Sequence, residues 1–149
     1  MNTLPGVLNL VVTTLQLWSR TQDVHSITTE QFSATQFAIK VRAYLKSSDV
    51  LQVRLYCNES HIDYAYQLIR MGTPLVRWDN KEHFPTLATY PHHFHSLSGQ
   101  VLASDLTGLP DADLPTVLRE IEILFLKFKA KQAAAHPFVA LEEQWTAPT

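Results

Sequence analysis

The chain has 149 residues, of which 46% are hydrophobic and 17% charged, a composition typical of a globular domain with a sizeable core. Its formal net charge of −2 excludes a bulk positive field that recruits nucleic acid, so any such binding must use a local basic surface. The single cysteine, Cys57, excludes an internal disulfide framework and is expected to be inert.

The organisation along the chain is expected to be simple: one α+β domain over residues 1–133 and a C-terminal tail over residues 134–149. No apolar run is long enough to span a bilayer. The N-terminal stretch MNTLPGVLNLVV lacks the basic region of a signal peptide. These features predict a cytoplasmic protein that does not bind membranes.

The first predicted element is an amphipathic helix. Its apolar side chains recur at spacings of three and four residues and so share one helical face: Leu4, Val7, Leu8, Val11, Leu15 and Trp18. Thr3 is the expected N-cap, and Pro5 is tolerated in the first turn.

Alternating apolar and polar residues then predict a series of strands, over residues 24–32, 35–46, 50–57, 61–70, 75–78 and 100–104. The connections are short, which indicates an antiparallel meander of about five to six strands. The apolar row of such a sheet must be covered, so we expect the N-terminal and C-terminal helices to pack on one face.

The outward row of this sheet combines basic and aromatic side chains: Lys40, Arg42, Tyr44, Lys46, Arg54 and Tyr56. Basic groups can hold phosphates while aromatic rings stack on bases, so these residues are candidates for RNA binding. The alternative is an ordinary solvated sheet face, because alternation alone predicts polar residues there.

A histidine-rich loop is predicted over residues 79–96, and its surroundings read VRWDNKEHFPTLATYPHHFH from residue 76. It contains four of the seven histidines: His83, His92, His93 and His95. Pro85 and Pro91 restrict the path of the backbone, which favours an ordered and functional loop.

These histidines suggest general acid–base chemistry. Imidazole titrates near neutral pH, so one ring can accept a proton while another donates one. RNA cleavage through the 2′-hydroxyl needs that pair and a cation, for which Arg77 is the candidate, while Asp79 could orient one ring. The predicted catalytic set is His92, His93, His95, His83, Arg77 and Asp79.

Two other interpretations of the histidines stay open. His93 and His95 are two residues apart and, with His83, could form a three-nitrogen metal site, although no cofactor is predicted. The histidines could instead hydrogen-bond the loop backbone and leave a non-catalytic binding surface.

The last predicted element is a long helix that Asp113 caps, with Pro115 in its first turn. Ile123 and Leu126 fall off its apolar stripe and so could bind a partner, or could be covered by the tail. The four glycines form no phosphate-binding loop, and no Gly-x-Ser-x-Gly elbow is present.

Residues 62–121 resemble the TumE-like family of bacterial and archaeal toxins, small proteins encoded beside an antitoxin. The shared elements are Tyr64-Ala65-Tyr66, Arg77-Trp78-Asp79-Asn80, His83 with Pro85, Thr89-Tyr90-Pro91-His92-His93-Phe94-His95 and Val117-Leu118-Arg119-Glu120-Ile121-Glu122. The chain departs from the family's pattern at Gln67, at Lys81-Glu82-His83-Phe84 in place of Ala-Pro-His-His, and at Phe94 in place of lysine.

The resemblance implies a toxin that acts on RNA or translation, has a cognate antitoxin as partner and leaves a homodimer open. Together with the histidines, it predicts a metal-independent endoribonuclease that cleaves mRNA, whether free or ribosome-bound. The alternatives are a non-catalytic module that binds a protein through the C-terminal helix and the histidine-rich loop, and a metal-binding protein.

Overall fold

The computed structural model describes residues 2–135 of the chain. Its elements, in chain order, are α1 (Leu4–Leu17), β1 (Thr21–Gln31), β2 (Gln36–Leu45), β3 (Val50–Asn58), β4 (His61–Arg70), β5 (Thr73–Asp79), β6 (His93–His95), β7 (Val101–Ala103) and α2 (Pro110–Ala135). The predicted α+β class is confirmed.

The strands form one sheet in the order β1-β2-β3-β4-β5-β6-β7, and each neighbouring pair is antiparallel. The predicted meander is therefore confirmed, with seven strands in place of five to six. The additional strand, β6, lies within the segment that was predicted to be a loop. It spans only three residues, too few for alternation to be recognised in the sequence.

The sheet has a core face and a polar face, which follow directly from the alternation of each strand. On β2 the buried side chains are Phe37, Ile39, Val41, Ala43 and Leu45, and β3 and β4 repeat this pattern. Lys40 and Arg42 lie on the opposite, polar face, because successive side chains of a strand point to opposite sides.

Helix α1 covers part of the core face. The backbone N–H of Gly6 donates to Thr3 Oγ1 at 3.1 Å, so Thr3 is the N-cap as predicted. Val7, Val11 and Leu15 are buried, and the helix packs against β1 and β2. Their burial offsets the low helix propensity of the adjacent Val and Thr residues.

Helix α2 begins at Pro110, so the prediction that Asp113 caps it is wrong. Proline suits the first helical position because the N–H that it lacks would have no helical acceptor there. Asp113 instead accepts hydrogen bonds from the N–H and hydroxyl of Thr107 and from the N–H of Gly108, at 2.8, 2.9 and 2.7 Å. Gly108 has a φ of +89°, a conformation that L side chains rarely adopt, so glycine is required in this turn.

The chain divides into two compact units, Met1–Val117 and Leu118–Thr149. The first contains α1, the whole sheet and the start of α2, where Leu114 and Val117 are buried. In the second, Ile121 is buried whereas Ile123 and Leu126 are 53% and 61% exposed.

The extent of the predicted domain and tail stays a prediction, since residues 136–149 lie outside the described part of the chain. Neither α1 nor α2 combines the length and the hydropathy that a membrane-spanning helix requires.

The role of Asp113 can be measured. We expect Asp113→Ala to lower the free energy of unfolding by about 2–4 kcal/mol, because three donors lose a charged, buried acceptor. Asp111→Ala, in the same helical turn, is the control, since Asp111 is exposed and accepts from the N–H of its neighbour Ala112 at 3.1 Å. Urea unfolding measures both; equal effects of the two substitutions would contradict the assignment.

Candidate functional site

The site begins with the pairing of β5 and β6. In this register Asp79 lies opposite His93 and Arg77 lies opposite His95. Directly opposed residues of an antiparallel pair project to the same face with their Cβ atoms about 5 Å apart. The register therefore brings these four side chains, here called the Asp79 cluster, together on the polar face.

Asp79 is the centre of the cluster. Its Oδ1 lies 2.9 Å from His93 Nε2, and its Oδ2 lies 3.4 Å from His95 Nε2 and 2.8 Å from Arg77 Nε. Arg77 Nε finds no aligned hydrogen-bond acceptor among residues 2–135, so its contact with Asp79 is electrostatic. Lys81 N–H donates to Asp79 Oδ1 at 2.9 Å and fixes the carboxylate.

Two members of the cluster are buried and two are partly exposed. Asp79 and His93 are buried. The side chains of Arg77 and His95 are 29% and 35% exposed, respectively. A ligand could therefore contact the guanidinium and the imidazole of His95, while the buried pair holds them in place.

The protonation of His93 follows from its partners. Its Nδ1 lies 2.9 Å from the carbonyl oxygen of Pro91, which can only accept, so Nδ1 carries a proton. Its Nε2 lies between Asp79 Oδ1 and His95 Nε2, the latter at 3.1 Å. An N–H donated by His95 satisfies this nitrogen.

A small cavity of about 180 Å³ opens over the cluster and is lined also by Lys81, His83 and Phe84. The ring of Phe84 lies edge-on to His93, with centroids 4.9 Å apart, and closes one side. Burial lowers the pKa of His95. The negative charge of Asp79 raises this pKa, and the nearby charges of His93 and Arg77 lower it further. The ring of His95 is thus favoured in its neutral form.

His92 lies apart from this cavity. Its Nδ1 is 2.7 Å from the hydroxyl of Tyr64, a buried residue of the core face, and the two rings are stacked. Burial raises the pKa of Tyr64, so the hydroxyl donates, and burial lowers the pKa of His92. Five of the six predicted catalytic residues line the small cavity, and His92 is the exception.

Asn80 is a further positioning residue. Its side chain accepts from Tyr64 N–H and donates to the carbonyl of Ile62, both at 2.9 Å, and is buried. These bonds tie the end of β5 to β4 and so fix the chain directly after Asp79. A polar residue next to an aspartate at a strand end is the only signal of this role in the sequence.

A larger groove of about 420 Å³ runs across the polar face. Of the six residues predicted to bind RNA, it is lined by Lys40, Arg54 and Tyr56. Arg77 and Lys81 line both the groove and the small cavity, so the two are contiguous. Lys81 was not predicted, because a lone exposed lysine in the sequence carries no signal of its own.

The other three predicted RNA-binding residues do not line the groove. Arg42 donates to the side chain of Gln52 at 2.9 Å, and the ring of Tyr44 lies edge-on to that of His25. Lys46 is exposed at the turn after β2. Glu30 and Asp63 also line the groove, so its charge is mixed with an excess of basic groups.

The geometry also identifies which residues could hold a metal. Asp79, His93 and His95 each offer one ligand atom, and these atoms lie within 4.8 Å of one another. The trio considered from the sequence was His83, His93 and His95. In the structure Asp79 takes the place of His83 in the converging set.

Comparison with known proteins gives one match. The family model described as "Toxin TumE" matches residues 12–125, which include the whole sheet and the Asp79 cluster. No curated protein and no solved structure matches the chain significantly.

The lowered pKa values of His92 and His95 predict how stability depends on pH. A folded pKa below the unfolded value of about 6.5 means that the unfolded chain binds protons first, so the free energy of unfolding falls as pH decreases below about 6.5. We expect His92→Gln/His95→Gln to reduce this slope, as measured by urea unfolding between about pH 7.5 and 5.5. An unchanged slope would count against both shifts.

Proposed function

The chain belongs to the TumE toxin family, and we propose that it is an endoribonuclease whose active site is the Asp79 cluster. Membership supports a toxin role and implies a cognate antitoxin partner. The observation that carries the proposal is the small cavity, in which two accessible imidazoles, His83 and His95, and the guanidinium of Arg77 meet at one end of a basic groove.

RNA would approach along the polar face. Lys40 and Arg54 lie opposite each other on β2 and β3 and would contact successive phosphates in the groove. Tyr56, which is 37% exposed, offers a ring on which a base can stack. Arg77 and Lys81 then lead the backbone from the groove into the small cavity.

The proposed reaction is transesterification within the RNA strand. His95 accepts the proton of the 2′-hydroxyl, and the 2′-oxygen forms a bond to the adjacent phosphorus as the bond to the 5′-oxygen breaks. His83 donates a proton to the leaving 5′-oxygen, and Arg77 and Lys81 stabilise the charge on the phosphoryl oxygens. The products are a 2′,3′-cyclic phosphate and a 5′-hydroxyl end.

The buried members of the cluster act through their neighbours. Asp79 and His93 hold His95 and Arg77 in place and are positioning residues. His92, with the hydroxyl of Tyr64, anchors the start of β6 from the core face. In this assignment His92 stabilises the site and does not contact RNA.

The central test is His95→Gln. We expect RNA cleavage to fall by roughly 100- to 10,000-fold in kcat/KM, because the general base is lost, and toxicity on expression to disappear. His25→Gln is the matched control, since His25 lies 2.7 Å from a carboxylate, that of Asp23, and neither residue lines the groove or the small cavity. Substrate carrying a 2′-deoxyribose at the cleaved position should resist both proteins.

Circular dichroism must show that His95→Gln is folded. Toxicity and cleavage that persist in folded His95→Gln and His83→Gln proteins would rule out the acid–base assignment. Products with a 5′-phosphate would exclude attack by the 2′-hydroxyl.

The groove makes a separate prediction about RNA affinity. Lys40→Gln and Arg54→Gln should each weaken RNA binding and lower its salt dependence by about one unit, because each removes a phosphate contact. Arg42→Gln and Lys46→Gln remove the same charge outside the groove and are the controls. Equal losses for both pairs, measured by fluorescence anisotropy over a range of salt concentrations, would show that only net charge matters.

A non-catalytic interaction protein is the second candidate. The observation that favours it is the exposure of Ile123 and Leu126 on α2, where a protein such as the antitoxin could bind. This candidate would be preferred if toxicity survived every substitution at the Asp79 cluster and was lost in Ile123→Asp/Leu126→Asp. Leu17→Asp, at an exposed leucine of α1, is the control.

A further inference from the structure

We propose that Asp79, His93 and His95 form a binding site for a divalent transition metal ion such as Zn²⁺, which occupies the cluster in place of a proton. Cleavage as described above requires no metal. The metal-bound form is a second state of the same side chains, and binding of the ion can be tested without reference to RNA.

The distances fit a tetrahedral ion. Zinc binds histidine nitrogen and carboxylate oxygen at about 2.0–2.2 Å, so two ligand atoms of a regular tetrahedron are about 3.3–3.6 Å apart. In the cluster His93 Nε2 lies 3.1 Å from His95 Nε2 and 2.9 Å from Asp79 Oδ1, while the other carboxylate oxygen, Oδ2, lies 3.4 Å from His95 Nε2. One ligand atom from each residue lies within 4.8 Å of the other two, so a modest rotation of the side chains would place all three around one ion, with a fourth position facing the small cavity.

The protonation of His93 supports the same conclusion. Its Nδ1–H is committed to the carbonyl of Pro91, so the lone pair of a neutral ring lies on Nε2 and points at Asp79 and His95. Such an N–H to a backbone carbonyl is the usual outer contact of a metal-bound histidine. When Nε2 of His95 gives up its proton, three electron-pair donors lie within 4.8 Å of one another, and one cation can bind all three.

The ligating carboxylate is also held from outside. Asp79 Oδ1 accepts from the N–H of Lys81 at 2.9 Å, which fixes its orientation. Two imidazoles and one carboxylate suit Zn²⁺, Co²⁺, Ni²⁺ or Cu²⁺ and do not suit Mg²⁺ or Ca²⁺, which prefer oxygen ligands.

Arg77 opposes metal binding and so provides an internal check. Its Nε lies 2.8 Å from Asp79 Oδ2, and its charge cancels that of the carboxylate. A dication must displace or tolerate this guanidinium, which weakens its binding. Arg77→Gln should therefore bind the ion more tightly than the unaltered protein, a change that adventitious binding elsewhere would not show.

The rest of the described chain offers a matched comparison. His25 with Asp23 and His61 with Asp63 are also histidine–carboxylate pairs, at 2.7 and 3.0 Å, but both are exposed. Among residues 2–135, the Asp79 trio is the one group of three ligating side chains that converges. His25→Gln/His61→Gln is accordingly the control variant.

The consequence for activity rests on the proposed ribonuclease function. An ion bound to His95 Nε2 withdraws electron density from the ring and makes it a weaker acceptor for the proton of the 2′-hydroxyl. Zn²⁺ should therefore inhibit RNA cleavage, and a chelator should restore it. The toxin would be active when free zinc is scarce.

The experiment titrates Co²⁺ into the full-length protein and follows its visible absorption, with Zn²⁺ binding measured by calorimetry. We expect one ion per chain with the intense spectrum of four-coordinate Co²⁺. His95→Gln and Asp79→Asn should weaken binding about tenfold or more, and the His25/His61 control should bind as the unaltered protein does. His95 is half-exposed, so its variant is expected to fold even if substitution of buried Asp79 is disruptive.

Three results would overturn the metal site: no binding by the unaltered protein, unchanged binding by folded His95→Gln, or loss of binding in the His25/His61 control. The measurement of RNA cleavage is a separate test. Co²⁺ binding at the trio in a protein that cleaves no RNA when metal-free would support the site and refute the ribonuclease. Activation of cleavage by Zn²⁺ would overturn the inhibitory role.

Discussion

The pairing of three-residue β6 with β5 is the constraint on which the site depends. This pairing places Asp79 opposite His93 and Arg77 opposite His95, and so decides which histidines meet the carboxylate. So short a strand cannot hold its register alone. It is supported by β7 on its other side and by Thr89, whose hydroxyl donates to the carbonyl of His92 and accepts from Ser104 N–H, at 2.8 and 2.9 Å.

The same pairing buries a carboxylate, and that burial determines the chemistry. A buried, ionised Asp79 is costly unless cationic or hydrogen-bonding partners surround it. Arg77 supplies a positive charge, and the backbone N–H of Lys81 donates a hydrogen bond. The imidazoles of His93 and His95 lie within 2.9 and 3.4 Å of the carboxylate oxygens. Because several of these partners can exchange protons, the cluster suits acid–base chemistry, and because three of its atoms are electron-pair donors, it also suits a metal ion.

Much of the fold could be predicted because its signals are local. The alternation of β2, β3 and β4 and the Thr3 cap follow from patterns of a few adjacent residues. The role of Asp113 could not be predicted from local sequence, because Ser, Thr, Asp and Asn are common both at helix N-caps and in the turns that precede helices. In the structure Asp113 accepts from the N–H of Gly108, whose positive φ forms the turn before α2.

The residues of the candidate site could be named from the sequence, but which of its histidines lie together could not be read from it. The sequence drew attention to all four loop histidines, but which of them converge depends on the face to which each residue of β6 points. His93 and His95 share the polar face whereas His92 contacts Tyr64 on the core side, and no three-residue pattern could reveal this. Likewise, the groove is lined by Lys40 and Arg54 and not by Arg42 or Lys46. Its path across the sheet cannot be predicted from local sequence patterns.

The departures from the family's pattern gain a physical meaning from this arrangement. Phe84 stands where the pattern of the family has a histidine. Its ring packs edge-on against that of His93 and shields the buried side of the cluster from water. Where the pattern has alanine, Lys81 adds a cation that lines both the groove and the small cavity. Relative to that pattern, this segment has one imidazole fewer and gains both a lysine, Lys81, and a glutamate, Glu82. Under the proposed function, Lys81 would add to the positive charge that Arg77 presents to a phosphate, and His83 and His95 would be the imidazoles of the cavity that a substrate reaches.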